Sequence, residues 1–101
     1  MSYSRDFTTT LTVAGNTGTA TISLQPITGM ALRTIIIDAP VAATYDWIMR
    51  DADNYAITGE TGASGDETYH LDVPVRNSVT ITLVNATNGS YNIKIWGYYL
   101  G

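Results

Sequence analysis

Turn-forming residues cut this chain into short segments, and no segment between them carries a helical spacing of apolar residues. Strict alternation of apolar and polar residues over a few positions marks a half-buried β-strand. "TTTLTVA" at 8–14 alternates in this way, with Leu11 and Val13 opposite Thr10 and Thr12. "GNTG" at 15–18 supplies residues that tolerate positive φ, and "TATISLQ" at 19–25 places Ala20, Ile22 and Leu24 opposite Thr19, Thr21 and Ser23. The stretch from Thr10 to Leu24 therefore reads as a β-hairpin. "MALRTIIID" at 30–38 follows, and its run Ile35, Ile36 and Ile37 predicts a strand covered on both faces. "TYDWIMR" at 44–50, the turn "DADN" at 51–54 and the short strand "YAIT" at 55–58 come next. Residues 59–66, "GETGASGD", read as the one long loop. "ETYHLDV" is ended by Pro74, "SVTITLV" spans 78–84, "NATNGS" is a turn cluster, and "YNIKIWGYYL" closes the chain.

About eight short strands separated by turns predict an all-β protein. The expected fold is a single antiparallel β-sandwich of jelly-roll or immunoglobulin-like type. Residues 1–7 are expected to form an N-terminal arm, and residues 8–101 the sandwich domain. With 101 residues the chain is long enough to bury one modest core.

Composition narrows the chemistry. There is no cysteine, which removes disulfides, thiolate metal sites and cysteine nucleophiles. Five Lys and Arg stand against nine Asp and Glu, and the basic residues are scattered, so no stripe suited to nucleic acid exists. No secretory signal and no membrane-spanning stretch is visible. Nucleic acid and membrane are therefore not expected as partners, and the chain is expected to be made in the cytoplasm.

His70 is the single histidine, and neither Ser64 nor Ser78 lies in a nucleophile motif. No catalytic residue is expected, and His70 reads as a partly exposed strand residue. Asp51, Asp53 and Asn54 have oxygen ligands at a calcium-like spacing. They are equally the usual residues of a tight turn, and no metal or cofactor is expected. Asn85 and Asn88 head two glycosylation sequons that also read as turn chemistry. Trp96 and Tyr98 alternate with Ile93 and Ile95 and so face away from any core built on those isoleucines. Tyr45 and Trp47 pose the same question of facing. Exposed aromatics suit either protein interfaces or sugar stacking, and Trp47 and Trp96 are the candidates for a stacking platform.

The threonines at 10, 12, 19 and 21 allow three readings: an ice-binding array, the ordinary outer face of a sheet, or an uncharged surface buried against another subunit. Residues 7–32 contain no charged side chain, and charge is what ordinarily keeps sheet surfaces apart. This favours the subunit interface.

"YDWIMRDADN" (45–54), "PVRNSVTITLVNA" (74–86) and "GSYNIKIWGYY" (89–99), taken with the threonine-rich opening, resemble small β-sandwich virion proteins of tailed bacteriophages. The resemblance implies a non-enzymatic structural role, such as a capsid decoration or cement protein. It implies the major capsid protein or other virion proteins as partners, and a homo-oligomer, for which a trimer is the form the resemblance to decoration proteins suggests. It also implies localisation in a virion assembled in the host cytoplasm, which accounts for a surface-type protein without an export signal. The contacts expected are Tyr3, Arg5 and Phe7 of the arm, the four threonines, the loop 59–66, and Trp96, Tyr98 and Tyr99. The alternative is a carbohydrate-binding or host-recognition module of a virion appendage.

Overall fold

The computed structural model describes residues 4–24 and 29–99. Eight strands follow in order: β1 (Ser4–Val13), β2 (Gly18–Ser23), β3 (Met30–Asp38), β4 (Thr44–Asp51), β5 (Ala56–Ser64), β6 (Glu67–Val75), β7 (Ser78–Val84) and β8 (Gly89–Tyr99). Every pairing is antiparallel, and the partners run outside-in along the chain: β1 with β8, β2 with β7, β3 with β6, β4 with β5. Two further pairings, β3 with β8 and β4 with β7, join these ribbons into sheets. The first sheet has the order β1-β8-β3-β6 and the second β2-β7-β4-β5. This folded-over ribbon is the jelly roll. An immunoglobulin-like sandwich keeps its first two strands in one sheet, whereas here β1 and β2 lie in different sheets.

Alternation sets the core. Leu11, Val13, Ile35, Ile37, Tyr91, Ile93 and Ile95 point inward from the first sheet, and Ile22, Tyr45, Trp47, Met49, Val79, Ile81 and Leu83 from the second. No charged or non-aromatic polar residue is buried among the described residues. Tyr45 and Tyr91 meet edge to face, with ring centroids 5.4 Å apart. Their hydroxyls leave the apolar layer by donating to the carbonyls of Gly65 (2.8 Å) and Thr87 (2.7 Å). A buried phenol needs such a partner. Burial pushes the pKa of both phenols above the ordinary tyrosine range.

Four expectations are corrected. The opening stretch is not a hairpin, because β1 and β2 share only the bridge between Ala14 and Thr17 before separating into opposite sheets. Gly15 (φ 63°) and Asn16 (φ 66°) form the turn. Asn16 also donates from Nδ2 to the Ala86 carbonyl and from its backbone to Asn88 Oδ1, which ties the turn to the loop between β7 and β8. Residues 4–7 are not an arm but the first residues of β1, paired from Ser4 opposite Tyr98 to Phe7 opposite Ile95. Residues 59–64 are not loop but the second half of β5, an edge strand in which two register shifts leave extra residues opposite β4. Bulges of this kind let glycine and small polar residues sit in a strand. Finally, β3 is covered on one side only: Ile35 and Ile37 are buried, while Ile36 faces outward between Lys94 and Thr68.

Candidate functional site

The exposed face of the first sheet gathers the side chains best suited to recognition. Because Ile93 and Ile95 point inward, Trp96 and Tyr98 stand partly exposed on the outer side of β8. Their rings meet edge to face, with centroids 5.0 Å apart. Gly97 between them lies inside, where a Cβ would collide with the Ala31 carbonyl oxygen and crowd the Met30 side chain. Only glycine allows β3 to approach β8 this closely, and the approach sets the two aromatics side by side.

A bulge supplies the third member. Leu32 and Ile35 are both buried, so β3 spends one residue more than alternation allows between them. The register shifts at this point against both neighbours: against β8 the surplus residue is on β3, and against β6 it is on β6. The extra residue is Arg33, which stands exposed with its guanidinium carbon 5.7 Å from the centroid of the Tyr98 ring. That is within cation–π range. Arg33 Nη1 also lies 3.7 Å from Asp72 Oδ1 of β6, in a solvent-exposed pair that orients the guanidinium and adds little stability. Around this centre, cross-strand register places Asp6 beside Trp96, Trp96 beside Thr34, and Thr34 beside His70. Asp6 pairs with Lys94 at 3.4 Å. His70 is exposed, with Nδ1 3.4 Å from the Thr34 hydroxyl.

The other expected contacts are distributed differently. Tyr3 lies outside the described residues, as does the side chain of Arg5. Phe7 and Tyr99 have the inward parity of their strands and pack against the core. Trp47 is 3% exposed, with its ring centroid 4.8 Å from that of Tyr69, so it is a core residue and not a stacking platform. Its indole nitrogen and the Tyr69 hydroxyl are buried without a hydrogen bond of good geometry. They are close enough for the indole to counter, in part, the burial that raises the phenol pKa. The four threonines divide between faces: Thr10 and Thr12 are exposed on the first sheet, Thr19 and Thr21 on the second. In the second sheet, Thr19 and Thr21 meet Thr82 (3.3 Å) and Thr80 (3.1 Å) on β7, hydroxyl to hydroxyl.

The second sheet also carries a groove of about 690 Å³ between β5 and the outer residues Ile48, Thr82 and Val84. Asp46 lies at its margin, where its carboxylate accepts hydrogen bonds from Asn85 Nδ2 (3.0 Å) and Gly62 N (2.8 Å). These hold its pKa below the ordinary carboxylate value. In the 51–54 turn, Asp51 Oδ1 accepts from the backbone of Asp53 (3.0 Å) and Tyr55 (2.9 Å), which is turn chemistry. Among the described residues no three His, Cys, Asp or Glu side chains form a metal-binding group.

Sequence reasoning located Trp96 and Tyr98 but missed Arg33. The signal was present as the three-residue step from Leu32 to Ile35 in a strand of period two.

The strand order places the chain in the jelly-roll class of β-sandwiches. The Drosophila NLP-core, described with pentamer formation and histone binding, is similar over 98% of both chains at 16% identity and a TM-score of 0.50. FlhE is similar over 98% of this chain and 96% of its own, at 10% identity and a TM-score of 0.46. A protein of the infectious bursal disease virus Gx strain covers 97% of this chain with 32% of its own, at 10% identity and a TM-score of 0.40. No protein-family model and no curated protein matches the chain.

Proposed function

We propose that this chain is a non-enzymatic structural protein of a bacteriophage virion, of the capsid decoration or cement type. It docks on the major capsid protein or another virion protein through the outer face of its first sheet, and it associates with further copies of itself. The observation that carries the reading is the cluster of Trp96, Tyr98 and Arg33 on the solvent side of a sheet whose other outward residues, Ile36 apart, are small or polar. Trp, Tyr and Arg are the residues that concentrate binding energy at protein interfaces. The sequence resemblance to phage virion proteins supplies the partner class.

Binding of the purified protein to capsid shells that lack it tests the reading. Trp96→Ala and Tyr98→Ala are expected to weaken binding at least about tenfold each, the loss of a central interface residue. Both side chains lie on the outer face, so thermal unfolding is expected to stay cooperative. Unchanged affinity in both variants contradicts the proposal. The alternative, a carbohydrate-binding module, retains Trp96 as its platform and loses Trp47 to the core. A glycan array that gives a signal abolished by Trp96→Ala, with no binding to shells, favours that alternative.

A further inference from the structure

The outer face of the second sheet is shaped by its edge strand. Against β4, β5 carries one surplus residue at Ile57 and another where Thr61 and Gly62 together face Asp46. Bulges bend the strand that holds them. Between the two bulges Gly59 lies opposite Ile48, and a Cβ there would collide with the Trp47 carbonyl oxygen. The bent edge and the missing side chain leave the groove of about 690 Å³ over Ile48, a volume suited to a small organic molecule. Ile48, Ile57 and Val84 give it an apolar lining, and Thr82 adds a hydroxyl.

The charge at the groove has one sign. Asp46 Oδ1 accepts from Gly62 N (2.8 Å) and Oδ2 from Asn85 Nδ2 (3.0 Å). These bonds fix the carboxylate in place and leave each oxygen a further lone pair. Among the described residues no ion pair reaches Asp46, and no lysine or arginine lines the groove. Arg50, two residues from Ile48 on the same face, donates from Nη1 to the Asn54 carbonyl at 3.2 Å and so is held at the 51–54 turn. Residues 13–18, 38–46, 62–68 and 84–91 form the end of the sandwich that holds Asp46. They contain Asp38, Asp66 and Glu67 besides, and no lysine or arginine. Glu60, on the β5 rim, adds to the burial that raises the pKa of the Tyr69 hydroxyl, so it serves Tyr69 and Asp46 is the groove's own carboxylate.

This chemistry selects the ligand. A sugar stacks on an exposed ring, and Trp47, the aromatic residue at the groove, keeps its ring in the core. An added peptide strand needs an unbroken row of backbone groups, which the bulges of β5 interrupt. An anion would meet only a carboxylate. We propose that the groove binds a small organic cation, an ammonium group on an aliphatic body, with the ammonium on Asp46 and the aliphatic chain over Ile48 and Val84. The site goes beyond the proposed virion role and shares no residue with the Trp96–Tyr98–Arg33 cluster, so each stands or falls without the other.

Amide NMR titrations of the purified chain at constant ionic strength test it, with three probes of matched length: n-hexylammonium, n-hexanol and hexanoate. n-Hexylammonium is expected to give saturable shifts confined to the amides around Ile48, Gly59, Gly62 and Val84. It is expected to bind at least about tenfold more tightly than n-hexanol, the gain of a charge-assisted hydrogen bond. Hexanoate is expected to give no saturable shift. Asp46→Asn keeps an oxygen for Gly62 N and is expected to reduce n-hexylammonium to the affinity of n-hexanol. Val84 is 43% exposed, so Val84→Lys is expected to fold, and its ammonium to abolish n-hexylammonium binding. Equal affinity for the three probes, shifts spread over both sheets, or undiminished binding by either variant overturns the inference.

Discussion

Gly97 does the most for the Trp96–Tyr98–Arg33 cluster while touching nothing in solvent. The Ala31 carbonyl and the Met30 side chain occupy the space its Cβ would need. Gly97→Ala therefore forces β8 away from β3 at the point where Arg33 bulges. Overpacking of this kind costs about 1–3 kcal/mol, and chemical denaturation is expected to show that loss together with weakened shell binding. Wild-type stability in Gly97→Ala contradicts the close approach. Tyr91 illustrates a different dependence. Its ring is core, and its hydroxyl satisfies the Thr87 carbonyl at 2.7 Å. Tyr91→Phe keeps the packing and removes one hydrogen bond, with an expected cost of about 1 kcal/mol.

Among the strands, the corner where β5 turns into β6 holds two carboxylates together. Asp66 accepts a hydrogen bond from the Ala39 backbone at 2.9 Å and lies against Asp38 at the end of β3. The shared hydrogen bond and the Asp66 charge raise the Asp38 pKa above its ordinary value. A carboxyl whose pKa is raised on folding holds its proton more tightly in the folded state. The stability it contributes is full at acid pH and is lost as pH rises through the folded pKa. Asp46 has the opposite sign: its lowered pKa contributes stability above the ordinary carboxylate value, lost as pH falls through the folded one. Asp38→Asn is accordingly expected to raise the thermal midpoint at neutral pH and to leave it unchanged at acid pH. Equal shifts at both ends contradict the close approach of the two carboxylates.

Strand positions were legible because alternation is local: Leu11 with Val13, Val79 with Ile81, and Ile93 with Ile95 each declare an inner face within one segment. Pairing was not legible, because it depends on partners far away in the chain. Gly15 and Asn16 make the same tight turn whether the strands beyond it pair or part, and only the pairing of β1 with β8 decides that they part. The second half of β5 was hidden because an edge strand with bulges accepts the glycines and small polar residues that otherwise mark a loop. At the site, Trp96 could be placed by counting from Ile95. Trp47 could not, since Tyr45, Trp47 and Met49 alternate equally well facing in or out until the opposite sheet is present.

At the scale of the whole molecule, the surfaces of the jelly roll differ in construction. The β5–β6 side is bulged and carries charge, the β1–β2 side is regular and uncharged beyond Asp6, and the outer face of the first sheet carries the aromatic and arginine cluster. The most direct measurement is a reconstruction by electron cryomicroscopy of capsid shells incubated with the purified protein. The expected result is ordered density for the sandwich with the outer face of its first sheet, Trp96 and Tyr98 included, against the shell. Shells that remain bare, or a sandwich seated on its second sheet, would contradict it.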